Sequence, residues 1–335
     1  MSTYNNDPHI IIAGCGRSGT TYLKTLLDAH PDIFIPTESL FLVDYLKNKK
    51  QSDSLIFSHL FFNEPQLKAW YSGNKFQINN ISEAICSVHK HEAIKNNAKI
   101  WGQKTPRFIR YMDLFNDNIP NIKWILIYRD PRAVVNSMLK SQRHTFSCIT
   151  AVNRWIKDNS IILESIKNHS IPKNTLIIKY EDIINSFEYH LDKLFQFIGV
   201  KSIDKDTLLQ DAKVVPLRGS KFPINTVRDS FAPQPKLITS WQKQLTKEQI
   251  YIIEKKCFEL MIDLGYEPIL YCNEHSKNND LFIFAKDRLR STKDILIVFE
   301  YLQKWPSYLF HTIIRKAYFS FAFTFSKLNN STTQK

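Results

Sequence analysis

The chain alternates short apolar runs with longer segments in which apolar residues recur at the spacing of a helix. The runs end at glycine, proline or polar residues, as buried strands do. They predict strands at residues 10–13, 33–35, 100–104, 122–128 and from 175 onward. Strands that alternate with helices favour an α/β fold, in which helices cover both faces of a parallel sheet.

The first apolar run leads directly into a glycine-rich turn, residues 14–19, and then into a predicted helix. Glycines allow the backbone to turn sharply and to bring its N–H groups close to a ligand. The open N–H groups and the positive end of the helix dipole favour an anion, phosphate above all. The alternative is a strand-to-helix turn that binds nothing.

The turn matches the nucleotide-binding P-loop, G-x-x-x-x-G-K-[ST], only in part. Gly14 and Gly19 have the required spacing, and Thr21 occupies the final hydroxyl position. Thr20 stands where the P-loop has lysine, and the cation lies inside the turn, at Arg17. Nucleoside triphosphatases use that lysine on the β- and γ-phosphates. The turn is therefore predicted to hold a phosphate without ordinary hydrolysis of ATP or GTP.

A second motif, Arg129-Asp130-Pro131-Arg132, follows the apolar run 122–128 and opens another predicted helix. Proline suits the first turn of a helix, and Ser137 lies about two turns further along. Arg132 has two interpretations, a phosphate contact or the partner of an acidic side chain.

Residues 16–21 and 129–137 together resemble the nucleotide-binding motifs of the sulfotransferases, in particular their bacterial and carbohydrate-type branch. These enzymes use 3′-phosphoadenosine 5′-phosphosulfate (PAPS) as donor. The resemblance covers roughly residues 9–268. It implies a P-loop-like fold and the transfer of a sulfuryl group from PAPS to a hydroxyl or amine. It also implies a set of phosphate contacts: Ser18, Gly19, Thr20 and Thr21 for the 5′-phosphate, and Arg129 and Ser137 for the 3′-phosphate.

The same resemblance implies catalytic roles for three side chains. Glu38 follows a His-Pro step where many sulfotransferases carry their general base, although a glutamate at a helix start is the alternative. Lys104 precedes a Thr-Pro step and, together with Arg17, is expected to neutralise charge on the sulfuryl group and the bridging oxygen. An exposed lysine at a strand end is the alternative. No metal is expected, because fixed cations neutralise this charge.

Two further nucleotide contacts are implied nearer the C-terminus. Tyr180, at the end of the last predicted strand, is expected near the adenine, or else is a half-buried core tyrosine. Arg218 falls where many sulfotransferases have a basic glycine loop over the nucleotide, but their fuller Arg-Lys-Gly pattern is missing. Prolines within residues 200–240 indicate an irregular segment.

The composition of the chain bears on its domain organisation and on its cellular compartment. With 43% hydrophobic residues, residues 1–270 are expected to form one large sulfotransferase domain, in which 47–98 is a helical insertion that shapes the acceptor side. The net charge of +13 favours anionic partners, but no nucleic-acid module accompanies it. The five cysteines form no C-x-x-C pair and the N-terminus has no signal-peptide pattern, which predicts a cytoplasmic protein.

The tail, residues 275–335, lies outside the resemblance and mixes aromatic with basic residues. No apolar run in it reaches the ~18 uncharged residues of a membrane span. It is predicted to be a helical appendage packed on the domain. The alternative is a basic amphipathic segment that holds the protein peripherally at the inner face of a membrane.

Two other classes of function stay open from the sequence. A P-loop kinase would need ATP and Mg²⁺, and Thr20 in place of lysine argues against it. A non-catalytic nucleotide-binding adaptor at a membrane would keep the phosphate contacts but would tolerate the loss of Glu38 and Lys104. For an enzyme, a carbohydrate or lipid-linked acceptor is the expectation, given the basic aromatic tail.

Overall fold

The computed structural model describes residues 9–52, 54–141, 144–214, 231–271 and 280–332. The strands in these ranges are β1 His9–Gly14, β2 Ile33–Phe34, β3 Ile100–Lys104, β4 Ile122–Tyr128 and β5 Thr175–Lys179. Within this part of the chain, five parallel strands form one sheet in the order β2-β3-β1-β4-β5. The apolar runs had predicted each of these strands.

Helices connect the strands and continue beyond the last one. Short 3₁₀ segments occur at Lys49–Gln51, Pro106–Tyr111 and Ser291–Lys293. The helices are α1 Thr20–Asp28, α2 Leu42–Lys47, α3 Leu55–Phe62, α4 Pro65–Lys68, α5 Ile81–Lys95, α6 Met112–Asn116, α7 Pro131–Ser141, α8 Cys148–Lys167, α9 Tyr180–Asn185, α10 Phe187–Ile198, α11 Lys205–Val214, α12 Lys236–Thr239, α13 Trp241–Gln244, α14 Lys247–Asp263, α15 Asp280–Arg290, α16 Asp294–Lys304 and α17 Pro306–Thr332.

Helices cover both faces of the sheet, as the apolar pattern predicted. Successive side chains of β1 point to opposite faces: Ile10 and Ile12 pack with α1, α9 and α10, whereas Ile11 and Ala13 pack with α2, α3 and α5. Because both faces are buried, the strands are continuous apolar runs rather than alternating ones. A third apolar cluster joins α7, α8, α13 and α14.

The order of the strands fixes where a ligand can bind. β1 lies between β3 and β4, so the chain leaves β1 towards one side of the sheet and later returns to its other side. Parallel sheets of this kind bind ligands outside the carboxyl ends of the strands where the order reverses. The turn after β1, Lys104 at the end of β3 and Arg129 after β4 therefore lie along one edge.

The end of β3 is held by a buried polar contact with α5. The pKa of His89 is lowered to about 3, because complete burial disfavours its charged form. The neutral ring donates from Nδ1 to the Ile85 carbonyl over 2.6 Å and accepts a hydrogen bond from Gln103. The Trp101 ring stacks on His89 as well. These contacts fix the strand position next to Lys104 and pack part of the 47–98 segment on the sheet.

The prediction of an irregular segment at residues 200–240 is wrong for the first part of that range. Lys205–Val214 is a helix, and its Leu208 and Ala212 are buried in the cluster around α1. This tertiary packing stabilises a helix that its polar composition did not indicate. Arg218 lies outside the described residues.

Buried polar contacts attach the C-terminal helices to the rest of the protein. Asp287 of α15 accepts hydrogen bonds from Ser147 Oγ, Cys148 N and Ile149 N over 2.7, 3.0 and 2.9 Å. It therefore caps the first turn of α8 from a position about 140 residues away along the chain. Asp294, at the start of α16, accepts two more hydrogen bonds just before α8.

Helix α17 is held by an arginine that two acidic residues neutralise. Arg315 donates to Asp44 over 3.0 Å and to Glu64 over 2.6 Å, and Tyr45 also donates to Glu64. Phe319, one turn later, packs edge-on against Tyr45. Helix α17 thus contacts α2 and the residue just before α4 through these side chains. None of the helices in the described part of the chain combines the length and apolar character that crossing a membrane requires.

We expect Arg315→Met to destabilise the protein by about 3–5 kcal/mol, because it leaves the buried carboxylate of Glu64 without its charge partner. Urea denaturation of the full chain measures this free energy of unfolding. Lys205→Met is the matched control, since the ion pair of Lys205 with Glu188 is exposed and should contribute little to the free energy of unfolding. Equal, small effects of both substitutions would contradict the buried attachment of α17.

Candidate active site

The turn between β1 and α1 presents backbone donors at the carboxyl edge of the sheet. Ser18 N donates to the Cys15 carbonyl over 3.2 Å, and both Arg17 and Gly19 have positive φ angles, 73° and 100°. Gly19 is the N-cap of α1, so no side chain caps the helix, and its first turn holds no acidic residue. The open N–H groups and the helix dipole therefore favour an anion here.

Glycine is required at two positions of this turn by close packing. A Cβ added to Gly19 would lie 2.4 Å from Tyr180 Cδ2, and one added to Gly14 would lie 2.2 Å from the Ile127 carbonyl oxygen. Gly16 differs, since no described atom lies within 4 Å of its added Cβ. The sequence spacing of Gly14 and Gly19 thus reflects the contact of the turn with β4 and α9.

Cys15, although it lies within the turn, is not suited to act as a nucleophile. Its side chain is fully buried. The pKa of its thiol is raised well above the usual value, because burial and the nearby Asp158 carboxylate both disfavour the thiolate. Cys15 therefore belongs to the packing beneath the turn.

Lys104 and Glu38 lie together beside the start of α1. Lys104 Nζ is 2.5 Å from Glu38 Oε1 and donates to Thr21 Oγ1 over 3.3 Å. Lys104 is 5% exposed, whereas half of the Glu38 side chain is exposed. The backbone N–H of Ser39 donates to Thr105 Oγ1 over 2.9 Å, which holds the Glu38 segment next to Lys104. The structure thus brings together two residues separated by 66 positions.

Arg129 lies on the other side of the turn, after β4. Its Nη2 donates to the Leu237 carbonyl over 2.8 Å, and its guanidinium group lies 4.2 Å from the centre of the Tyr180 ring. Trp155 Nε1 donates to the Arg129 carbonyl over 2.9 Å. Arg129 Nε is buried and has no hydrogen-bond partner among the described residues. Neither the Leu237 carbonyl nor Trp155 could be assigned to the site from the sequence, because a backbone carbonyl and a core tryptophan carry no specific motif.

The Arg17 side chain extends towards this second group and not towards Lys104. Arg17 Nε donates to Ser137 Oγ over 3.0 Å, and Arg129 Nη1 lies 3.5 Å from the Arg17 carbonyl. Arg17, Arg129 and Ser137 therefore form one cluster on the β4 side of the turn. The sequence placed Arg17 with Lys104 at the sulfuryl group, and in this conformation the two cations are on opposite sides of the turn.

Arg132 is the partner of acidic side chains, the second of its two interpretations. Its Nη2 lies 2.8 Å from Asp130 Oδ2 and its Nη1 lies 2.8 Å from Glu254 Oε1. The group stacks on the Trp241 ring. Arg132 therefore stabilises the contact between α7 and α14.

The family model described as the sulfotransferase family matches residues 8–204. This chain belongs to the sulfotransferase family. Its reaction is the transfer of a sulfuryl group to an acceptor, and the family implies an acceptor that carries a hydroxyl group.

Relatives of this sulfotransferase act on different acceptors, according to their names. It is 28% identical to Protein-tyrosine sulfotransferase A of Caenorhabditis elegans over 212 residues, 60% of this chain and 53% of the relative. It is 21% identical to Carbohydrate sulfotransferase 1 of Danio rerio over 333 residues, 78% of each chain. Both acceptor classes are thus represented among its relatives.

A solved structure shows the same fold. The sulfotransferase domain from the Curacin biosynthetic pathway is similar with a TM-score of 0.57 and 18% identity, over 79% of this chain and all of that domain. The predicted α/β fold and the predicted sulfotransferase family are therefore confirmed. Among the described residues of this sulfotransferase, no group of three His, Cys, Asp or Glu side chains is arranged to hold a metal ion.

We expect Gly19→Ala to lower the free energy of unfolding by about 2 kcal/mol or more, because the new Cβ meets the Tyr180 ring and the positive φ strains any residue other than glycine. Gly16→Ala is the control in the same turn and should be nearly neutral. Urea denaturation without nucleotide compares the two variants. If Gly16→Ala were the more harmful substitution, the packing of the turn on α9 would be refuted.

Proposed function

We propose that this sulfotransferase takes its sulfuryl group from PAPS and that the two halves of the carboxyl edge bind the two anionic ends of that donor. The supporting observation is a pair of buried donors, Ser18 Oγ and Arg129 Nε, that find no partner among the described residues. Buried polar groups are nearly always hydrogen-bonded. A ligand with one phosphate at the turn and another near Arg129 would satisfy both.

The turn and the β4 side would divide the phosphate groups between them. The donors of Ser18, Gly19, Thr20 and Thr21 would hold the 5′-phosphate at the start of α1. Arg129 and Ser137 would hold the 3′-phosphate, and Arg17, already hydrogen-bonded to Ser137, would contact the bound nucleotide from the turn.

Tyr180 supports these contacts rather than supplying one. It is 1% exposed, its ring contacts Gly19, and the guanidinium of Arg129 lies on its face. We therefore assign Tyr180 the role of positioning the turn and Arg129 relative to each other, in place of the adenine contact that the resemblance implied.

Glu38 and Lys104 would carry the chemical step. PAPS supplies a sulfuryl group whose bond from sulfur to the bridging oxygen breaks as the acceptor oxygen bonds to sulfur. Glu38, half exposed and beside Lys104, would take the proton of the acceptor hydroxyl. Lys104 would exchange its contact with Glu38 for the bridging oxygen and stabilise the negative charge there. Its contact with Thr21 keeps it next to the phosphate end.

We also propose that the acceptor is a carbohydrate or a lipid-linked molecule. The Glu38 segment leads directly into α2, which packs in one cluster with α3 and α5. Helices α3 and α5 lie within the 47–98 segment and α2 ends where it begins. The three helices would form the wall against which the acceptor binds. Glu38 is the proposed base for a carbohydrate acceptor and for a lipid-linked one alike.

Adenosine 3′,5′-bisphosphate should raise the thermal stability of the protein without any metal. A ligand at about 100 times its dissociation constant adds about 2.7 kcal/mol to folding. Adenosine 5′-phosphate, which lacks the 3′-phosphate, should stabilise much less, and Arg129→Ala should remove that difference. If ATP with Mg²⁺ stabilised the protein and the bisphosphate did not, the result would support a kinase and refute the PAPS proposal.

Glu38→Gln should reduce turnover by about 10²–10⁴-fold, the usual contribution of a general base, and leave the affinity for the bisphosphate unchanged. Turnover is measured as release of adenosine 3′,5′-bisphosphate from PAPS with a panel of phenolic, sugar and lipid-linked acceptors. Asp32→Asn, which removes another carboxylate that is partly exposed and paired with a lysine, is the matched control. A fully active Glu38→Gln variant would exclude Glu38 as the base.

A further inference from the structure

Helix α17 buries a charged side chain and exposes several large apolar ones. Its inward side carries Tyr308, His311, Arg315 and Phe319, of which Arg315 is buried in ion pairs. The outward side carries large apolar residues, and Phe310 among them is 66% exposed. A helix that packs on a domain in water normally places its apolar residues inward and its polar residues outward. The exposed apolar residues of α17 depart from this pattern.

Helix α16, which contacts α17, also exposes large apolar residues. Its single buried large apolar residue within the described part is Ile297. We call the apolar surface on α15–α17 the outer face. It consists of eleven side chains in the described range 289–321: Leu289, Ile295, Leu296, Val298, Phe299, Leu302, Leu309, Phe310, Ile313, Ile314 and Phe321.

The outer face is too large to be incidental. Its side chains expose on the order of 1,000 Å² of apolar area, whereas the largest patch on a typical monomer is about 300–600 Å². Such a surface marks an interaction site. It is also a fixed surface, because Asp287, Asp294 and Arg315 attach its three helices to the rest of the protein.

Basic residues accompany the outer face, and its acidic residues are already engaged. Residues 283–321 contain seven Lys or Arg and three Asp or Glu. Asp287 accepts a hydrogen bond at the start of α8 and Asp294 accepts one just before it, and Glu300 pairs with Lys304. The residues Arg288, Lys293 and Lys316 are exposed. Apolar area combined with basic charge is complementary to the surface of an anionic bilayer.

We propose that the outer face lies on an anionic lipid bilayer and holds the protein at its surface. The helices do not cross the bilayer, since α16 and α17 carry Lys304, Arg315 and Lys316 within their length. They lie in the interface plane, with the apolar side chains among the lipid chains and the basic ones at the headgroups. This binding does not depend on the donor or on the chemistry at Glu38, so it can fail or succeed independently of the proposed function.

The docked helix is also close to the proposed catalytic segment. Arg315 contacts Asp44 in α2, and Glu38 precedes the start of that helix by four residues. A bilayer under α17 would therefore keep the Glu38 segment near the lipid surface. This arrangement suits an acceptor hydroxyl that is itself carried on a lipid.

Vesicle sedimentation of the full chain tests the proposal. We expect the protein to sediment with vesicles of phosphatidylcholine and phosphatidylglycerol, and at least about tenfold less with phosphatidylcholine alone. The combined substitutions Phe299→Ser, Phe310→Ser and Ile313→Ser should weaken binding to the anionic vesicles by at least about tenfold. Leu55→Ser, Ile56→Ser and Ile94→Ser form the matched control, because these apolar residues are equally exposed on α3 and α5.

Three outcomes would overturn the proposal. The first is that the full chain does not sediment with anionic vesicles. The second is that the outer-face and control variants lose binding equally. The third is a dimer, seen by sedimentation equilibrium, that the outer-face substitutions dissociate, since a second copy of the chain would then cover this surface. Circular dichroism of each variant verifies that a loss of binding does not come from unfolding.

Discussion

The Tyr180 ring connects the two halves of the site, because both the turn after β1 and the Arg129 side chain pack against it. Gly19 approaches the ring so closely that a single added carbon would lie 2.4 Å away. The guanidinium group of Arg129 lies on the ring face at 4.2 Å. The turn after β1 and the motif after β4 are therefore fixed to each other through a third strand, β5, which ends at Lys179. A ligand with two phosphates needs this fixed distance, because binding affinity is lost when its donors must first be ordered.

Much of this arrangement could be predicted from the sequence because it is local. Parallel strands buried on both faces appear as continuous apolar runs, and the glycines and the proline mark where two of them end. The topology of a parallel sheet then brings the carboxyl ends of neighbouring strands together. Lys104 and Glu38, 66 residues apart, could be associated only through resemblance to a family, since neither residue alone forms a specific pattern.

The particular contacts that attach the tail could not be predicted, because they span long stretches of sequence. Asp287 caps α8 across 139 residues, and Arg315 meets Glu64 across 251. In the sequence, these charged residues only interrupt the apolar segments of the tail and argue against a membrane-spanning helix. In the structure they are buried, and a buried charge is tolerated only where its partner is in place. The buried pair orients α17, and the apolar residues are thereby directed outward.

The net charge of +13 conceals a distinction between two arginines that are three residues apart. Arg132 lies between Asp130 and Glu254, so its charge is neutralised within the fold and contributes to the packing of α7 on α14. Arg129, in the same motif, contacts carbonyl groups and an aromatic ring. Both residues are arginines of one motif, and only their surroundings in the fold distinguish their roles. A partly buried cation that contacts neutral groups in the described structure gains most from an incoming anion. Arg129 can therefore still form a charge-assisted contact with a ligand, as the proposed phosphate contact at the second motif requires.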